Sequence, residues 1–98
     1  MKVYISGPIT STTDYMERFE KCQKNLEAHG YEVINPALIN SNLPESTTWD
    51  QYMDVSLVLL KMCDSIYMLP GWINSKGASL EYEIAKSRGI RVINGVNL

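Results

Sequence analysis

Ninety-eight residues, 45% hydrophobic and 20% charged with a formal net charge of −2, describe one ordinary globular domain and exclude a coiled coil, a collagen-like repeat or a disordered tail. The acidic balance argues against binding a nucleic-acid polymer, which calls for clustered Lys and Arg, but leaves room for a single anionic metabolite. Two cysteines without a CxxC pairing and one histidine make no zinc set. Neither metal nor cofactor is expected, and the thiols fit a reducing compartment.

Lys2 to Ser6 is rich in β-branched and aromatic residues and stops at Gly7-Pro8, the pattern of a buried strand followed by a tight turn. A hydroxyl-rich loop then leads to Asp14, which with Glu17 has the form of a capping box. Tyr15, Phe19, Cys22 and Leu26 recur at helical spacing to Ala28, and His29-Gly30 closes that helix with a left-handed cap. Tyr31 to Asn35 alternates as a second strand and halts at Pro36. Ala37 to Thr47 is mostly polar or turn-forming, which predicts a long loop and a candidate lid.

Thr48 with Gln51 again has capping-box form. It opens a second helix whose inward face carries Trp49, Tyr52, Met53, Ser56, Leu59, Leu60 and Cys63. Ser65 to Leu69 is a third strand, halted by Pro70-Gly71. A loop to Gly77 follows, then a third helix ended by Gly89, and Ile90 to Ile93 forms a last strand. Strands alternating with helices call for an α/β, Rossmann-like or flavodoxin-like three-layer sandwich, with a parallel four-stranded sheet in the order 2-1-3-4 and helices on both faces. That order makes the first and third strands neighbours. Their carboxyl ends flank a topological switch point, which brings Ser6 to Thr10 against Pro70 to Gly77 as one pocket. The longest apolar stretch, around Val55 to Leu60, is too short to span a membrane, no signal-peptide pattern is evident, and a cytoplasmic location is expected. The small size suggests a partner subunit, hence a homodimer or higher homo-oligomer.

The loop from Gly71 to Gly77 fails the P-loop pattern, because Lys76 precedes Gly77 and Ala78 follows; a GxGxxG fingerprint is also missing. What remains is a set of hydroxyls and helix-start amides able to hold a phosphate, with Ser75 on composition alone better explained as a plain helix cap. Glu81 lies one turn past Gly77 on the face shared with Ile84 and Ala85, so it is expected to point inward. There the helix dipole favours its ionised form, which suits a nucleophile. Asp54, flanked by Met53 and Val55, reads by default as an exposed helix residue. Of the two tryptophans, Trp49 reads as core and Trp72 as the better platform for stacking a base.

Taken together, Tyr4-Ile-Ser-Gly-Pro8, Asp54 in a middle helix, Cys63-Asp64 before a strand, and Ser75-x-Gly77-x-x-x-Glu81-x-x-x-Ala85 resemble the nucleoside 2-deoxyribosyltransferase superfamily, over nearly the whole chain. The chain looks closest to short members of unassigned activity and is similar to the 2'-deoxynucleoside 5'-monophosphate N-glycosidases. The resemblance implies that Glu81 attacks the anomeric carbon, that Tyr4 orients it, and that Asp54 contacts the sugar hydroxyl or departing base. It also implies that Ser75 favours a nucleotide over a nucleoside. Ser6, Gly7, Pro8, Thr10, Trp72, Ser75 and Gly77 would then contact substrate. Pro8 departs from the pattern, since the monophosphate branch carries a phosphate-binding serine there and proline offers neither hydroxyl nor amide proton; Thr10 or Ser11 would have to substitute. The expected activity is cleavage or exchange of the N-glycosidic bond of a (deoxy)nucleoside 5'-monophosphate. The alternative is a non-catalytic module that binds or senses a nucleotide in the same pocket, and a third reading is a dimerisation domain with a vestigial pocket.

Overall fold

The structure is a computed structural model and describes residues 1–9 and 13–94. Four strands, β1 (Lys2–Ser6), β2 (Glu32–Ile34), β3 (Ser65–Met68) and β4 (Arg91–Asn94), form one parallel sheet in the order β2-β1-β3-β4. The α/β fold and strand order are those the sequence pattern dictates. Between the strands lie α1 (Tyr15–Ala28), α2 (Pro36–Asn40), α3 (Trp49–Lys61) and α4 (Lys76–Ser87), with a 3-10 turn at Trp72–Asn74.

The two central strands, β1 and β3, are buried on both faces, their successive side chains pointing to opposite sides of the sheet. Val3 and Ile5 of β1 pack with Phe19, Cys22 and Leu26 of α1, while Tyr4 packs on the other face with Leu60 of α3 and with Ala78 and Ala85 of α4. In β3 the same alternation sends Tyr67 to the first core and Ile66 and Met68 to the second. The register places Tyr4 beside Ile66 and Ser6 beside Met68, so β1 and β3 end level with each other.

The helix ends follow local chemistry. Thr48 and Gln51 form the expected reciprocal capping box on α3. Gly30 and Gly89 take the left-handed backbone that ends α1 and α4. Asp14 stands at the start of α1, but its side chain makes no cap hydrogen bond, so the Asp14/Glu17 pattern is not a capping box here. The segment after β2 also differs from the expected loop. Pro36 occupies the first turn of α2, where its fixed φ and missing N–H suit a helix start, and Asn35 caps it by accepting from the Leu38 N–H. Only residues 41–48 connect α2 to α3 without regular structure. No helix among the described residues is long and apolar enough to cross a membrane.

Candidate functional site

Beyond the carboxyl end of β1, between the segment that follows β2 and the start of α4, lies a cavity of about 430 Å³, within the usual range for small-molecule sites; of the expected Pro70 to Gly77 side, Ser75, Lys76 and Gly77 line it and residues 70–74 do not. Its floor comes from Tyr4 and Gly7 of the β1 segment and from Ser75, Gly77 and Glu81 at the start of α4. Its outer wall comes from α2, the 41–48 connection and the first turns of α3, including Asn40, Glu45, Trp49 and Tyr52.

Glu81 is the central group. Only 6% of it is exposed, and both carboxyl oxygens are held from β1: the Tyr4 hydroxyl donates to Oε2, and the Ser6 hydroxyl donates to Oε1 at 2.6 Å. Tyr4 and Ser6 are two apart on one strand, so their side chains emerge on one face of the sheet, the face against which α4 packs. Burial raises the Glu81 carboxyl from its usual 4.5 to about 7, against the opposing pull of the two hydroxyl donors. The helix dipole is therefore not what sets its charge, and the expectation of a firmly ionised carboxylate is corrected to one poised between forms near neutral pH. Tyr4 is held protonated well above the usual phenol range, by burial first and by the facing carboxylate second, so it remains a donor.

Gly7 and Gly77 allow the close approaches that shape the floor. A Cβ on Gly7 would lie 2.8 Å from the Leu69 Cβ, and one on Gly77 would lie 3.2 Å from the Met53 sulfur. Ser75 caps α4, its Oγ accepting from the Ala78 N–H at 3.2 Å, and it also lines the cavity. The N–H groups of Lys76 and Gly77, in the first turn of α4, meet no acceptor among the described residues.

Several sequence-based assignments move. Asp54 is exposed and belongs to a separate shallow depression with Pro44, Thr47 and Gln51, because helical phase turns Met53 and Ser56 inward and leaves Asp54 about 100° from Met53. It is not part of the Glu81 site. Trp72 is half-buried outside the cavity lining and packs on Tyr82 of α4, ring centroids 4.5 Å apart, against the margin of the second core. Trp49 lines the cavity instead, 37% exposed, with the Lys76 Nζ 4.5 Å from its ring centroid. Pro8 lies over Gly71 and outside the cavity lining. Ser6 is buried beneath Glu81, 1% exposed, so it contacts the carboxyl group and not an occupant. Thr10 and Ser11 fall outside the described residues.

Asn40, Glu45 and Ser56 in the lining are residues that sequence reasoning missed, and Lys76, placed at the helix start by the sequence, joins them there. Ser56 was legible only as part of a helical face. Asn40 and Glu45 lie in a stretch whose path depends on the Asn35 cap and on Pro36. Cys22 and Cys63 are free and buried, and burial pushes their thiols up to about 12 and about 11, which leaves them unreactive. No group of three metal-ligating side chains occurs among the described residues.

The chain belongs to a family described as a domain of unknown function, DUF4406, whose model matches residues 1–94. No curated protein matches it.

Proposed function

We propose that this protein cleaves or exchanges the N-glycosidic bond of a (deoxy)nucleoside 5'-monophosphate, with Glu81 as nucleophile. The observation that carries the reading is the pair of hydroxyl donors, Tyr4 and Ser6, that fix a buried carboxyl group at the floor of a cavity of metabolite size. The resemblance to the nucleoside 2-deoxyribosyltransferase superfamily supplies the substrate class, and Tyr4, Ser75, Gly77 and Glu81 of that pattern meet in the cavity lining.

In the ionised form, a Glu81 oxygen attacks the anomeric carbon as the C–N bond breaks, and the bonding electron pair leaves with the base. The oxocarbenium-like charge that develops is stabilised by the carboxylate beneath the ring and then trapped as an ester. Water, or a second base, attacks the same carbon and returns the carboxylate. Tyr4 and Ser6 fix the orientation of both oxygens and favour the charged form that attacks.

The departing base takes up a proton. With Asp54 outside the cavity, Glu45 is the other carboxyl group in the lining and the one assigned to that end of the substrate. A phosphate would be held by the Lys76 ammonium, the free N–H groups of Lys76 and Gly77, and the hydroxyl hydrogen of Ser75, whose oxygen already serves the cap. Pro8 then needs no role in phosphate recognition. Trp49 offers the aromatic face against which a base can stack. Assembly as a homodimer, which would cover part of a domain this small, belongs to the same proposal.

The test is chromatographic. Wild-type protein and Glu81→Ala are incubated with a panel of ribo- and deoxyribonucleoside 5'-monophosphates, with and without an acceptor base. Free or exchanged base from the wild type alone is the expected result. A nucleotide that raises the melting temperature with no base released by either protein would replace catalysis by simple binding.

A further inference from the structure

The Lys76 ammonium lies over the ring of Trp49, with Nζ 4.5 Å from the ring centroid. The two residues open α4 and α3, and both line the cavity that holds Glu81. The helix starts are held side by side at this point, since a Cβ on Gly77 would lie 3.2 Å from the Met53 sulfur. No carboxylate claims the ammonium: the one ion pair among the described residues joins Glu20 to Lys24. Its partner is the indole, through a contact that is weak where the ring is open to solvent, as Trp49 is at 37% exposure.

The face so covered is the one turned toward the start of α4. A planar base cannot stack there while the ammonium occupies it. The same ammonium is within reach of an anion at the start of α4, because its own backbone N–H and that of Gly77 meet no acceptor among the described residues and the flexible Lys76 stem swings without moving the helix. A charge-assisted hydrogen bond to phosphate is stronger than an exposed cation–π contact. A phosphate at that place therefore draws the ammonium off the ring.

We propose that Lys76 is a specificity-determining residue that makes the phosphate a condition for stacking a base on Trp49: the ammonium rests on the ring until a 5'-phosphate takes it and clears the face. A nucleoside brings no anion to receive the ammonium and must displace it unaided. The pair thus discriminates against the unphosphorylated ligand, beyond the attraction that any cation has for a phosphate. This inference rests on the nucleotide reading of the cavity. It is independent of whether Glu81 attacks.

The experiment uses the full chain carrying Glu81→Gln, so that turnover does not disturb the equilibrium, and Trp72→Phe, which leaves Trp49 as the single tryptophan. Trp49 emission is titrated with inorganic phosphate, with the four common 2'-deoxynucleosides and with their 5'-monophosphates. Phosphate alone should change the emission when Lys76 is present and leave it unchanged in Lys76→Ala. Lys76→Ala should bind the monophosphates about tenfold more weakly, yet bind the nucleosides about two- to fivefold more tightly, the size of an exposed cation–π contact released. Lys76→Arg, which keeps the charge and stacks on indole, should keep the original order of affinities.

A Lys76→Ala protein that loses monophosphate affinity without gaining nucleoside affinity would show a plain phosphate contact and overturn the proposal. Trp49 emission indifferent to phosphate would overturn it too, and a cavity that binds no nucleotide would remove it together with the nucleotide reading. Base release is scored separately with Glu81 in place. If none appears while the affinities shift as stated, the glycosidase reading alone fails; if base is released while nucleoside affinity does not rise in Lys76→Ala, this inference alone fails.

Discussion

The floor and the outer wall of the cavity are built on different principles. The floor is a product of sheet topology: β1 and β3 are neighbours, both end at the same level, and α4 starts directly above them, so Tyr4, Ser6 and Glu81 meet although 75 residues or more separate the strand from the helix residue. All three are buried. The wall is a five-residue helix, an irregular connection and the exposed edge of α3, with Glu45 and Trp49 open to solvent. A rigid, buried floor suits chemistry that depends on sub-ångström placement, whereas a half-exposed wall suits recognition and access. Substitutions in the floor should therefore change the rate and the pH profile, and those in the wall the affinity.

The largest expected effect is at Glu81. Glu81→Gln should lower base release by about a thousandfold or more, the scale of removing a nucleophile. It should also stabilise the fold, with a definite sign in pH. The folded carboxyl at about 7 lies above its usual 4.5, so its contribution to stability is fully present below 4.5 and lost as pH rises through 7. That difference corresponds to about 3 kcal/mol. Chemical denaturation should show Glu81→Gln more stable than wild type at pH 8 and nearly equal to it at pH 4.

Tyr4→Phe comes next. It removes one of two donors to the carboxylate, so the alkaline-rising limb of the pH–rate profile should move upward by roughly one unit, with a stability cost of about 1 kcal/mol above pH 7. A profile left in place would mean that Tyr4 packs without acting on Glu81. Gly7→Ala tests the rigidity of the floor: the added Cβ meets Leu69 at 2.8 Å, and overpacking of that kind costs about 1–3 kcal/mol, readable as a lower denaturant midpoint.

The tryptophans give the sharpest contrast at smaller amplitude. Trp49→Ala should raise KM by about five- to tenfold with kcat nearly kept, because stacking is lost at an exposed wall. Trp72→Ala should lower the melting temperature by removing the contact with Tyr82 and leave KM unchanged. The reverse pattern would return Trp72 to the site. Asp54→Asn is the smallest: activity within twofold of wild type, since Asp54 lies in a different depression.

The same contrast governs what the sequence alone could reveal. The fold and the floor were legible because their signals are periodic: alternation in Lys2 to Ser6, helical spacing through Gly77, Glu81 and Ala85, and the βα alternation that dictates the strand order. The wall was not. Pro36 reads as a break, yet at the first turn of a helix its missing N–H costs nothing, and the Asn35 cap that makes α2 possible is a side-chain contact no periodicity reports. Asp54 was misplaced by carrying over a resemblance where helical phase turns it outward, and Trp49 and Trp72 exchanged roles because loop geometry, not residue type, decides which ring faces the cavity.

The most direct measurement of the central claim is mass spectrometry of the protein quenched in acid during turnover of a nucleoside 5'-monophosphate that yields free base. The account predicts an adduct of the sugar phosphate on the peptide containing Glu81, absent from Glu81→Gln. Base release that persists in Glu81→Gln, with no adduct on that peptide in the wild type, would contradict it.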